Sequence, residues 1–212
     1  EGARAISGKN VKLIYVTSGG TVYGDPELIP VSESVVAAPL SPYGASKLAV
    51  ETYLPIYRKL CGLSYSIIRL ANVYGPRQNP HGEAGVVAIF AKAMLEGRSL
   101  KIFGDGKDQR DYVFVGDVVE AIVKASETKR KGPFNVGTGI GTSTNQIFTI
   151  LARNCGYTQP PVHTPPRPGD IGRISLDSTR AARKLGWIPQ MSLEEGLRTT
   201  VEWFGSEECK ES

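Results

Sequence analysis

The sequence predicts an α/β fold built on a parallel sheet, and three observations predict it. Two short β-branched, apolar runs, over 11–16 and 65–70, flank a helical stretch long enough to cross back over a sheet between them. The first run breaks at Ser18-Gly19-Gly20, and open parallel sheets present their ligands in loops at the carboxyl ends of the strands. With 212 residues, 41% of them apolar and 22% charged, the chain can bury such a core without staples.

The elements follow in order. The run over 11–16 reads as a strand buried on both faces. A turn-rich stretch over 24–42 leads to a helix over 43–60, which Ser41 can cap and in which Pro42 takes the first position, where a missing N–H costs nothing. Residues 65–70 form the next strand and close a βαβ unit. Amphipathic spacing predicts a helix over 85–97, a strand over 100–103, and a helix over 115–128 with Asp117 as its cap. A strand over 134–136 and helices over 144–154 and 193–204 complete the pattern. The cluster Gly137-Thr138-Gly139-Ile140-Gly141 reads as a structural turn, the Pro-rich 159–169 as loop, and 207–212 as a frayed tail.

Composition excludes several classes of function. The net charge of +4 is scattered apart from Lys129-Arg130-Lys131, a solvated loop with no basic, aromatic-interleaved stripe, so no nucleic-acid partner is expected. Three distant cysteines, Cys61, Cys155 and Cys209, make neither a disulfide framework nor a zinc site and point to a reducing, cytoplasmic compartment. No apolar run approaches the ~18 residues of a membrane span, and residues 1–10 lack the apolar stretch of a signal peptide. His81 and His163 lie in Pro/Gly-rich loops without carboxylates at ligand spacing, so no metal is expected.

Tyr43 and Lys47 carry the sharpest chemistry. Four residues apart at the start of one helix, they share a face. A phenol, ~10 in free solution, is a poor base at neutral pH unless a cation favours its anion, and a lysine one turn on supplies one. The spacing also occurs by chance on many helices. Its place after a strand whose loop holds Ser18 is what distinguishes it.

At this point several motifs resemble one family in one order. Ser41-Pro42-Tyr43-Gly44-Ala45-Ser46-Lys47 resembles the active-site helix of extended short-chain dehydrogenase/reductases, and Thr17-Ser18-Gly19-Gly20-Thr21-Val22-Tyr23-Gly24 the serine/threonine loop before it. Arg69-Leu70-Ala71-Asn72-Val73-Tyr74-Gly75-Pro76 is similar to the segment placing an asparagine on a sugar diphosphate. The stretch from Gly104-Asp105-Gly106 through Arg110-Asp111-Tyr112 resembles one in which an arginine binds phosphate. Arg167-Pro168-Gly169-Asp170 resembles the arginine and aspartate that hold the diphosphate and ribose, and Leu185-Gly186-Trp187-Ile188-Pro189 the carboxyl-terminal signature.

The resemblance implies the carboxyl-terminal portion of a Rossmann-type doubly wound parallel sheet plus a small α/β substrate-binding domain. The dinucleotide-binding part would be 1–76, with 111–138 returning to it, and the nucleotide-sugar part 77–110 and 139–205. No glycine-rich dinucleotide turn precedes residue 19, so an amino-terminal part is expected to be missing. The implied activity is epimerisation at C4 of a UDP-hexose, using bound NAD. Tyr43, Lys47 and Ser18 are the implied catalytic residues; Tyr43, Lys47 and Thr17 would meet NAD; Thr21, Asn72, Arg110, Arg167 and Asp170 would bind the UDP-sugar. A homodimer is implied too.

One position departs from the family. The hydroxyl that meets the reacting sugar oxygen lies three residues before Val22-Tyr23-Gly24, and here that position is Gly19. Ser18 is favoured as its replacement, with Thr21 the alternative. The next two positions, Asp-Glu in the 4,6-dehydratases, are Gly20 and Thr21, which disfavours dehydration. A reductase or decarboxylase on the same scaffold, or a non-catalytic remnant that binds nucleotide sugar, are the other readings.

Overall fold

The computed structural model describes residues 2, 11–81, 85–166 and 171–206. The expectations for 1–10, for 207–212 and for the end of the 159–169 loop lie outside the described residues. Strand β1 (Lys12–Ser18) leads through one helical turn, α1 (Gly19–Val22), to the long helix α2 (Pro42–Cys61) and then to β2 (Ser64–Leu70). β1 and β2 pair in parallel over their whole length, from Lys12 opposite Ser64 to Ser18 opposite Leu70. β6 (Phe134–Val136) adds a third parallel strand beside β2, giving the order β1-β2-β6.

Helix α2 begins and ends for local reasons. Ser41 Oγ accepts from Gly44 N at 3.1 Å, Pro42 occupies the first turn, and Gly62 closes the helix at φ +71°, where a side chain would be strained. Helix α4 (Val115–Glu127) and helix α6 (Thr179–Leu185) pack on the same sheet around Ile68, Phe134, Val136, Leu176 and the fully buried Trp187.

A second core lies among helices α3 (Val86–Leu95), α5 (Thr144–Cys155) and α7 (Leu193–Gly205), filled by Phe90, Ile147, Leu151 and Leu197. Its strands are β3 (Asn72–Tyr74), parallel to β5 (Gln109–Phe114), with β7 (Gly141–Ser143) antiparallel to β5. A separate ladder joins β4 (Lys101–Phe103) to β8 (Val162–Thr164). No helix among the described residues is long and apolar enough to cross a membrane.

Three expectations are corrected. β1 is not buried on both faces: most of it is half-buried and Val16 is 37% exposed, because among the described strands it stands at a sheet edge. Asp117 is not a cap. Phe114 holds the cap position, and Asp117 is buried inside the first turn, where its carboxylate accepts from Met191 N at 3.1 Å and its carbonyl from Trp187 Nε1 at 2.8 Å. The loop over 159–169 contains β8, which escapes the period-2 signal because it is only three residues long and flanked by prolines. The turn over 137–141 is structural, wrapped around the buried Asp111 carboxylate.

Candidate active site

The parallel strands deliver the site at their carboxyl ends. β1 ends at Ser18, which caps α1 by position only: its side chain makes no capping bond and lies on a cleft. Thr21 sits one turn on, its hydroxyl donating to the Ser18 carbonyl at 3.4 Å. β2 runs out at Leu70, and two residues later Asn72 begins β3. Helix α2 enters from the other side with Tyr43 in its first turn, 52% exposed, and Lys47 Nζ lies 5.4 Å from the centre of the Tyr43 ring.

Ser18, Thr21, Tyr43, Asn72 and Arg110 all line one polar cavity of about 360 Å³. That lies at the small end of ligand clefts and leaves room for a hexose. Thr17, by contrast, is buried beneath the site and does not line the cavity. Arg167 and Asp170 lie outside the described residues. Among the described residues no group of three or more His, Cys, Asp or Glu is placed to hold a metal ion.

Three phenols reach this cavity: Tyr43, Tyr74 and Tyr112. Burial pushes the Tyr112 phenol up to about 12 and raises that of Tyr74 further, with the Asp117 carboxylate adding to the rise. Neither is a base at neutral pH. Tyr43 is the phenol standing in the open beside an ammonium.

Packing explains the glycine at the departing position. A Cβ on Gly19 would lie 2.5 Å from Leu176 Cδ1 and 3.2 Å from the Leu70 carbonyl oxygen, so the core occupies the space a serine would need. A Cβ on Gly20 would meet only ordinary contacts, 3.4 Å from Asn72 Oδ1 and 3.9 Å from Ser18 Oγ. Ser18 and Asn72 therefore converge on the same open spot above Gly20.

A model of the NAD dependent epimerase/dehydratase family matches residues 3–137. The chain belongs to that family. The UDP-glucose 4-epimerase of Mycolicibacterium smegmatis is 55% identical over 194 residues, covering 91% of this chain and 62% of that protein. The crystal structure of the Thermotoga maritima UDP-glucose 4-epimerase with UDP-glucose superposes with a TM-score of 0.89 at 50% identity, covering 91% of this chain and 63% of that one. That of the Thermus thermophilus UDP-glucose 4-epimerase with NAD gives 0.89 at 41% identity, covering 97% and 68%. The chain thus spans about 62% of the length of the first of these relatives. Its α/β fold with parallel strands is the Rossmann-type fold of these epimerase structures.

Sequence reasoning missed some lining residues of this epimerase/dehydratase-family cavity. Gln78 lines it beside Tyr74 and Tyr112, its amide donating to the Val73 carbonyl at 3.1 Å while its Oε1 is buried without a hydrogen-bond partner. The only sequence signal was its place just after Gly75-Pro76-Arg77, where Arg77 adopts φ +68°, an uncommon conformation for a residue with a side chain.

Proposed function

We propose that this chain belongs to a UDP-hexose 4-epimerase that interconverts UDP-glucose and UDP-galactose with bound NAD. The observation that carries this reading is the convergence of Ser18, Thr21, Tyr43, Asn72 and Arg110 on one cavity, with the Lys47 ammonium against the Tyr43 ring. Relatives of 55% and 50% identity named UDP-glucose 4-epimerase support it. The half-exposed Tyr43 ring beside a cation fits NAD, offering an open face for a flat, charged ring and a phenol next to it. NAD, when bound, supplies reversible hydride acceptance.

In this reading Tyr43 takes the proton of the sugar's 4-hydroxyl as the carbon beneath it is oxidised, and returns it when the turned-over keto sugar is reduced on its other face. Lys47 favours the phenolate and holds the nicotinamide ribose, with Thr17 contributing to the same site from below. Ser18, with Thr21 beside it, donates to the reacting oxygen in place of the hydroxyl absent at Gly19. Asn72 and Arg110 hold the diphosphate from two strands; Arg167 and Asp170 are assigned to the diphosphate and ribose by resemblance. The division at residues 1–76 with 111–138, against 77–110 with 139–205, would separate the cofactor side from the sugar side.

A homodimer and a cytoplasmic location belong to the same reading. The outer face of α2 carries Tyr53, Ile56 and Leu60, each more than half exposed, an apolar stripe suited to a second copy. Incubation of a protein of the relatives' full length that carries this chain with UDP-glucose and catalytic NAD tests the function. The expected product is UDP-galactose with no net NADH; accumulating NADH or carbon dioxide would reassign the scaffold to a reductase or decarboxylase. Arg110→Ala is expected to weaken UDP binding by about 1.5 to 3 kcal/mol, the range for hydrogen bonds to charged groups. Calorimetry with UDP checks it, and unchanged affinity would remove Arg110 from the diphosphate.

A further inference from the structure

The sheet side of α2 holds a buried ion pair that the scheme above does not use. Glu51 and Arg69 are 7% and 6% exposed. Arg69 Nε lies 3.1 and 3.2 Å from the two Glu51 carboxylate oxygens, and Nη2 donates to the same carboxylate at 2.6 Å. Nη1 donates to the Tyr23 hydroxyl at 2.9 Å; that hydroxyl donates to Asn135 Oδ1 at 2.8 Å, and the Asn135 amide donates to the Val31 carbonyl at 2.9 Å. The network ties α2 to β2 and β6. As a source of stability alone it is a poor choice, since a buried pair replaced by apolar side chains is often no worse.

Its position suggests a different use. Glu51 is one helical turn beyond Lys47, the spacing at which a carboxylate and an ammonium attract each other on a helix. Beneath them, the β1 residue Tyr15 donates its hydroxyl to the Lys47 carbonyl at 3.0 Å. Burial raises the Tyr15 phenol, the neighbouring Thr17 side chain opposes the rise, and the charges of Glu51 and Tyr43 add to it, so Glu51 and Tyr43 both act on one spot.

We propose that Arg69 is a positioning residue for the Tyr43 and Lys47 pair: by holding the Glu51 carboxylate against β2, it leaves the Lys47 ammonium to the Tyr43 ring. This rests on reading Tyr43 as the base. Among the described residues, Glu51 meets Arg69 on β2, which in turn meets Tyr23 after α1; Tyr15 on β1 feels the charges of both Glu51 and Tyr43, and Lys47 precedes Glu51 by one turn on α2. Glu33 reaches the far end of the network through Asn135 N at 2.8 Å, and Tyr65 lies farther along β2, within the field of Arg58.

The test is the ring titration of Tyr43, followed by NMR with ¹³Cζ-labelled tyrosine and assigned by its disappearance in Tyr43→Phe. In Arg69→Met the Glu51 carboxylate loses its guanidinium and is left to compete for the Lys47 ammonium, so the Tyr43 midpoint is expected to rise by roughly one pH unit. Glu51→Gln leaves the guanidinium unopposed, and the midpoint is expected to fall. Arg69→Met with Glu51→Leu removes both charges, should fold even where the single change does not, and should return the midpoint to its parent value. A pair that served packing alone would change the melting temperature without these opposite shifts. Coincident midpoints in the parent and in Glu51→Gln would overturn the proposal, as would a double variant displaced from the parent. The readout needs no turnover, so its failure is distinct from that of the base assignment, which falls if Tyr43→Phe still epimerises.

Discussion

In a protein of its relatives' full length that carries this chain, and on the proposed reading of it as a UDP-hexose 4-epimerase, Tyr43→Phe is expected to lower the interconversion of UDP-glucose and UDP-galactose by ~10²- to 10⁴-fold, the usual cost of removing a general base. The substitution deletes one hydroxyl and keeps a ring that is half exposed and makes a cation contact, so folding and UDP binding should persist. No neighbouring phenol can take over. Tyr74 and Tyr112 face the same cavity, but burial holds both protonated at neutral pH. Lys47→Met should lower turnover as well and move the pH optimum upward, since the cation that favours the phenolate is gone. Initial rates in both directions, measured against pH with NAD supplied, provide the check. A Tyr43→Phe protein turning over within a few-fold of the parent would refute the assignment of Tyr43 as base.

What the sequence disclosed and what it withheld divide along the range of the interactions involved. Helix α2, its Ser41 cap and its Pro42 start were legible because caps and first turns are set by neighbours in sequence. The same holds for α5, where Ser143 and Gln146 form a reciprocal capping box. The short strands were not legible: β3, β7 and β8 are three residues each, too few for a period to register, and they and the six-residue β5 gain their hydrogen bonds from partners tens of residues away. Helix α6, only seven residues long, escaped for a similar reason. In the site, Tyr43 and Lys47 announce themselves through a four-residue spacing, whereas Gln78 reaches the cavity only by the path of its loop. Asp117 looked like a cap because caps are what aspartates beside glycines usually are; its real partner is Met191 N. The Arg69 and Glu51 pair spans 18 residues and carries no local pattern.

Asp111→Ala is expected to be among the most destabilising single changes in the chain. The side chain is 2% exposed and sits one residue from Arg110, on the opposite face of β5. Its Oδ1 accepts from Thr138 N at 2.8 Å and Thr138 Oγ1 at 2.7 Å, and its Oδ2 from Gly139 N at 3.0 Å and Leu176 N at 3.1 Å. The turn fits so closely that a Cβ on Gly137 would lie 2.4 Å from Oδ2. Removing the carboxylate leaves these donors facing a cavity, three of them backbone N–H groups that cannot turn elsewhere. Leu176 N is buried and the donors of Thr138 and Gly139 are half-buried, so at about 1 to 3 kcal/mol for a buried unsatisfied donor and less where water reaches, a loss of roughly 2 to 4 kcal/mol follows, a large part of the 5–15 kcal/mol that holds a typical domain together. Asp111→Asn keeps the shape and one acceptor oxygen and should cost less, because the Thr138 hydroxyl can rotate to accept from the new amide. Asp25→Ala, on the surface, should stay within about 0.5 kcal/mol of the parent. Urea denaturation followed by circular dichroism, compared at constant slope, measures all three. If Asp111→Ala unfolds within about 1 kcal/mol of the parent, the carboxylate does not organise the 137–139 turn, and the placement of Arg110 along β5 must have another cause.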